Sequence, residues 1–359
     1  MDSLDSPTTT LLLDTLRDAT GRADLEFTAP PTPLAGGFYA EMLRFRLADP
    51  PAPLDRDLVA RIVPNPVAGV WEATIQRAVA EQGFPTPLVR LTADETGPGG
   101  GSPPPRAGPP PAGPGPLGWP LWFPPAIGGR PPMAGLGLGT IAGQIPNLVR
   151  HLPDQLARIA ADLHALDAGP LADELEALDR PFPTTTTGFI EEQAGYAEAL
   201  GRPDIAAAAA RLVAAEPRST VRVITHGDLH PFNLLVTPEG ASLIDWTVAR
   251  VAHPGFTLGF TDLMLANPPI PLPRAGAALL RLVGRNIAGR FLSTYRTLTD
   301  GTAAAVDDEN LEWHRKVHAL RILVELAGWD ANGTRPTGGH PWLILEPVAQ
   351  QLLGVSTGG

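Results

Sequence analysis

Three short apolar runs lie close together in the second half of the chain. Val221-Arg-Val-Ile224, Asn233-Leu-Leu-Val236 and Ala241-Ser-Leu-Ile244 read as strands, the last two joined by a turn at Pro238-Glu-Gly240. Earlier, Leu43, Phe45 and Leu47 alternate with Arg44 and Arg46, which predicts a strand over 42–47; 58–63 and 87–91 read as two more. A helical period appears at Trp71, Ile75, Ala78 and Val79 and predicts a helix over 70–82. Leu156, Ile159, Ala160 and Leu163 mark one face of a helix over 152–166, and 188–215 reads as helix interrupted near Gly201-Arg-Pro203. Further helices are predicted over 274–298, 308–329 and 341–353, with a short one over 3–19. Strands therefore dominate the first part and helices the rest.

Length turns this order into two bodies. A chain of 359 residues exceeds what one hydrophobic core usually holds, and 43% hydrophobic residues suffice to fill two. The segment 97–116 is so rich in Pro and Gly that it predicts a flexible excursion from the first body. There is no Cys, which excludes disulfides, thiolate metal sites and a Cys nucleophile and fits a reducing cytoplasm. No run approaches the roughly 18 apolar residues of a membrane helix, so a soluble, unprocessed cytoplasmic protein is expected, without membrane partners. The net charge of -11 argues against nucleic acid and suits a cationic small molecule. Nothing in the sequence speaks to oligomeric state.

Chemistry concentrates between the three strands of the second half, in His226-Gly-Asp-Leu-His-Pro-Phe-Asn233 and, twelve residues on, Ile244-Asp245-Trp246. Moving a phosphoryl group from a nucleoside triphosphate needs a carboxylate to orient the acceptor hydroxyl and oxygen ligands to hold Mg2+ against the phosphates. Asp228 fits the first role, and Asn233 and Asp245 fit the second; the five-residue step from Asp to Asn matches a kinase catalytic loop. A competing reading takes His226, Asp228 and His230 as ligands of a transition metal, since alternate residues share one face of an extended backbone. That reading leaves Asn233 and Asp245 without a role. The two motifs are similar to those of the aminoglycoside phosphotransferase and choline kinase family.

The resemblance implies an α+β, bilobal protein-kinase-like fold. Residues 1–127 would form an N-terminal nucleotide-binding lobe with a small antiparallel sheet, and 128–359 a larger, mainly helical lobe with the catalytic loop and acceptor site. The implied activity is transfer of the terminal phosphoryl group of ATP or GTP to a hydroxyl of a small acceptor, with a cation such as an aminoglycoside or choline-like molecule suited to the acidic charge. The kinase fold places a Lys on an N-lobe strand against the phosphates, yet Lys316 is the only lysine and follows the catalytic motifs. Arg61, on the strand over 58–63, is the substitute, or else a solvent-facing strand residue. Glu72, bordering the apolar face of the next helix, would steady it, or would sit exposed at the helix start. Gly36 and Gly37 would cover the phosphates or simply turn a hairpin. Order along the chain places Ala126 and Ile127 at the hinge, where family members hold the nucleotide base.

Two features depart from or lie beyond the family pattern. Where members carry Gly-Asp-Pro-x-x-Asp-Leu, this chain has Ala252-His-Pro-Gly-Phe-Thr-Leu258, so His253 and Thr257 replace two acids that brace the loop in the family. Asp262 is either a compensating acid or a surface residue at a helix start. Asp307, Asp308, Glu309, Glu312 and Glu325 would attract a cationic acceptor or form a solvated helix face. The loss of the Lys and of the two acids also allows a second function, a catalytically degenerate, nucleotide-binding pseudokinase module.

Overall fold

In a computed structural model of the chain, the residues described are 7–34, 40–52, 54–63, 66–93, 121–122, 138–178, 185–237, 240–268, 270, 274–337 and 340–355. They begin with α1 (Pro7–Thr20), β1 (Glu26–Phe27), β2 (Thr32–Pro33), β3 (Glu41–Phe45), β4 (Leu47–Ala48) and β5 (Leu58–Ile62). Next come α2 (Pro66–Glu81), β6 (Thr92–Ala93), β7 (Leu121–Trp122), α3 (Leu138–His164), α4 (Gly169–Glu176), α5 (Thr186–Ala199) and α6 (Pro203–Ala214). Then β8 (Val223–Thr225) and a 3-10 turn (Pro231–Asn233) lead to β9 (Leu234–Thr237), β10 (Gly240–Leu243) and β11 (Arg250–Ala252). Four helices finish the order: α7 (Gly255–Ala266), α8 (Arg274–Leu298), α9 (Asp308–Asn332) and α10 (Pro341–Leu353). The described residues fall into two compact units, one drawn from Met1–Pro104, Gly113–Arg130 and Leu234–Thr247, the other from Pro131–Asn233 and Val248–Gly359.

The first unit is built on an antiparallel sheet of order β2-β3-β5-β7-β6. Every residue of β5 is buried, and alternation divides them between two faces. Leu58, Ala60 and Ile62 join Leu43, Phe45 and, from α1, Leu12 and Leu16 in one core. Val59 and Arg61 take the opposite face, which sets Arg61 away from that core. The β9–β10 hairpin, with Leu243 opposite Leu234, belongs to the same unit. No strand forms over 87–91, contrary to expectation. Pro85 and Pro87 lack the N–H a ladder needs, and the Pro87 carbonyl accepts instead from Gln76 Nε2 at 2.6 Å.

The second unit is mainly helical, with one two-stranded ladder of β8 and β11. α7 is buried along Gly255–Leu265 and packs against α8 and α9. Buried on every side, it has no solvent face to spare. At Gly259 the approach to α9 is so close that a Cβ would lie 2.8 Å from the His314 carbonyl carbon. A core of Phe256, Phe260, Val317, Leu320, Ile322 and Leu345 joins α7, α9 and α10. Asp262 sits in the middle of α7, 4% exposed, and pairs with Arg315 of α9 at 2.6 Å. It is neither at the surface nor at a helix start, because the helix begins seven residues earlier. No helix among the described residues is long and apolar enough to cross a membrane.

Candidate active site

The catalytic-loop motif follows directly from β8. Thr225 ends the strand with its hydroxyl on the Arg250 carbonyl of β11, and His226, fully buried, donates its backbone N–H to Thr257 Oγ1 at 3.0 Å. Gly227 then turns the chain with φ +70°, where a Cβ would meet the Phe256 ring at 2.4 Å, so a side chain has neither the backbone conformation nor the room. Asp228 N–H donates to His226 Nδ1 at 3.3 Å. Among the described residues no three His, Cys, Asp or Glu side chains are gathered to hold a metal, which counts against the competing metal reading of His226, Asp228 and His230. Thr261 Oγ1 donates to the Leu229 carbonyl at 2.8 Å. Thr257 and Thr261 of α7 brace the loop, and His253 accepts from Gly255 N–H and stacks on His314.

The 3-10 turn shortens the path from Asp228 to Asn233 so that the Asn reaches back. Asn233 Nδ2 donates to the Asp228 carbonyl at 2.9 Å and to its Oδ2 at 3.1 Å. With the amide nitrogen committed, Oδ1 is the atom left to a hard cation. Asp228 Oδ1 accepts from Arg321 Nη1 at 3.3 Å, while His230 Nε2 stands 3.7 Å from Oδ2. Arg321 was not singled out from the sequence. Its signal was present, since 321 lies four after Val317 and three before Val324, a charged residue inside an apolar stripe.

In the first unit, the β9–β10 hairpin delivers Asp245. Its neighbour Trp246 is fully buried, donates Nε1–H to Thr86 Oγ1 at 3.0 Å and packs edge-on against Phe84. Asp245 itself has φ +67°, a left-handed conformation for a non-glycine, while its carboxylate remains about a third exposed. Arg61 forms the ion pair expected with Glu72 at 3.0 Å and also reaches Asp245 at 3.0 Å and Thr247 Oγ1 at 2.9 Å. Both Arg61 and Glu72 are buried, so neither the solvent-facing strand Arg nor the exposed helix-start Glu describes them. Burial pushes the Glu72 carboxyl up to about 7, with Arg61 pulling the other way. Burial opposes the charge of Arg61, but Glu72 and Asp245 outweigh it and hold its pKa above the usual value. Thr247 was a further partner that the sequence did not announce.

Gly36, Gly37, Ala126 and Ile127 lie outside the described residues. Of the acids expected to greet a cation, Asp307 caps α9 by accepting Asn310 N–H at 2.7 Å and Asp308 pairs with Arg296. Glu312 lies 3.1 Å from Arg315 and 3.9 Å from Lys316, the lone lysine, so arginines and helix ends hold these carboxylates. Oxygen donors of the kind presented by Asn233 Oδ1 and the Asp245 carboxylate fit magnesium rather than a thiophilic or imidazole-seeking metal.

No curated protein sequence is significantly similar to the chain. Among solved structures, a Ralstonia eutropha JMP134 protein classed with the aminoglycoside phosphotransferases is similar at TM-score 0.60, with 15% identity over 96% of this chain and 95% of that one. Plasmodium vivax ethanolamine kinase gives 0.56, with 10% identity over 98% and 88%. A spectinomycin phosphotransferase, solved with ADP and spectinomycin, gives 0.50, with 13% identity over 96% and 97%. These likenesses establish the protein-kinase-like fold. The profile of the Phosphotransferase enzyme family (APH) matches residues 32–288, well over half of the sequence, and the chain belongs to that family.

Proposed function

We infer that the protein is a small-molecule kinase that transfers the terminal phosphoryl group of ATP or GTP to an acceptor hydroxyl. The observation that carries this reading is the hold on Asp228, whose two carboxylate oxygens are engaged by Arg321 and Asn233 on a braced loop. A pure nucleotide binder has no use for an oriented carboxylate in that position. Asp228 accepts a hydrogen bond from the acceptor hydroxyl and aligns its oxygen for in-line attack. Asn233 and Asp245 would hold Mg2+, which when bound would compensate the charge of the phosphates. Arg61 adds positive charge toward the phosphates, and Glu72 keeps its guanidinium in place. Most of the acceleration then comes from placement and preorganised charge.

The test is phosphoryl transfer by the purified protein with ATP or GTP and magnesium, across amino sugars, macrolides, choline, ethanolamine and other amino alcohols. Acceptor-dependent formation of a phosphate ester supports the kinase. Tight nucleotide binding with no ester from any acceptor contradicts it and supports a nucleotide-responsive module instead.

A further inference from the structure

We propose that Arg321 is a positioning residue for the reaction, fixing the rotation of the Asp228 carboxylate; this rests on the kinase reading above. The terminal torsion of an Asp side chain has broad, roughly two-fold wells, so one hydrogen bond does not set its plane. Here the two oxygens have different donors. Oδ2 accepts from Asn233 Nδ2 at 3.1 Å and Oδ1 from Arg321 Nη1 at 3.3 Å. The other neighbouring side chain, His230, stands at 3.7 Å and faces the same oxygen as Asn233, so it adds no second point of control.

Arg321 is itself held from several sides. Its side chain is 11% exposed, and its guanidinium carbon lies 5.5 Å from the Phe260 ring centre and 5.4 Å from that of Trp342. Phe260 and Trp342 meet edge-to-face at 5.9 Å, and Phe260 also packs on His318 and His230. Helices α7, α9 and α10 thus fix a planar cation by cation–π contact, and the cation fixes the carboxylate. Lys in this position keeps the charge but not the planar fork.

The test compares Arg321→Met and Arg321→Lys with wild type, in kinetics and in crystal structures. Misplacing a reacting group by about 1 Å costs roughly 100-fold in rate, so Arg321→Met is expected to lose about that much in kcat while the KM for nucleotide moves by less than about threefold. Arg321→Lys recovers part of the loss, and added guanidinium raises the rate of an Arg321→Ala variant by about tenfold, which a purely structural role would not produce. A rate per folded molecule within about twofold of wild type for Arg321→Met overturns the proposal, as does a loss that neither Lys nor guanidinium relieves. If the wild type phosphorylates no acceptor, the kinase reading fails separately and the crystal structures decide positioning. An Asp228 carboxylate rotated or split between conformers in Arg321→Met supports it, and an unmoved carboxylate overturns it.

Discussion

Glu72 shows how one buried residue couples charge to stability. Its side chain is 2% exposed, and its carboxyl is raised to about 7 by burial even with Arg61 at 3.0 Å. The folded state therefore holds the Glu72 proton more tightly than the unfolded chain does. Its contribution is full below the unfolded value of 4.5 and is lost as pH rises through 7, by up to about 1.4 kcal/mol per pH unit in that window. Glu72→Gln keeps the shape without titrating. The melting temperature of this variant relative to wild type is expected to rise in the variant's favour from pH 5 to pH 8; a constant difference across that range contradicts the raised pKa. Beside Glu72, Thr247 and the positive φ of Asp245 keep the same cluster in register. Removal of the Arg61 charge, by Arg61→Met, leaves Glu72 and Asp245 without their shared cation and is expected to cost about 3–5 kcal/mol in chemical unfolding.

Among the elements, the join between α7 and α9 is the most sensitive. Gly259 faces the backbone of His314, so Gly259→Val must push the two helices apart, and overpacking of this kind costs about 1–3 kcal/mol. Because α7 also carries Thr257 and Thr261, which hold the catalytic loop, kcat should fall together with the melting temperature. A melting temperature unchanged by Gly259→Val contradicts the close approach. The same helix shows why some of the fold was hidden in the sequence. Helices 274–298 and 341–353 were legible at both ends because apolar stripes and breakers marked them. α7 is buried all round, its Thr257, Thr261 and Asp262 included, so no 3.6-residue apolar stripe stands out against a polar face. The strand expected over 87–91 failed for a local reason, since Pro87 has no N–H to donate and its carbonyl is taken by Gln76. Within the site, Asp228, Asn233 and Asp245 were legible as a motif, and Arg61 with Glu72 as a strand–helix pair. Arg321, Thr247, Thr257 and Thr261 were not, because their roles depend on partners distant in sequence.

At the scale of the whole molecule, stability should depend steeply on acid pH. His164, His314 and His318 are buried, and burial lowers the pKa of each, to about 3 for His164 and His314. Each stays neutral when folded but takes a proton near 6.5 when unfolded. Stability from these groups is present above 6.5 and lost as pH falls toward the folded values, by up to about 1.4 kcal/mol per pH unit for each histidine. His164→Gln should reduce the slope of unfolding free energy against pH between 6 and 4 by about that amount, and an unchanged slope contradicts its neutral burial. The family assignment gives the class of chemistry, while the acceptor is set by the site. In the proposed function Asp228 orients the acceptor hydroxyl and contributes little to nucleotide binding. Its most direct test is Asp228→Asn, with turnover and nucleotide affinity measured on the same preparation. A loss of about 10²–10⁴-fold in kcat is expected, with the nucleotide Kd within about threefold of wild type. An Asn variant that phosphorylates its acceptor at the wild-type rate would contradict it.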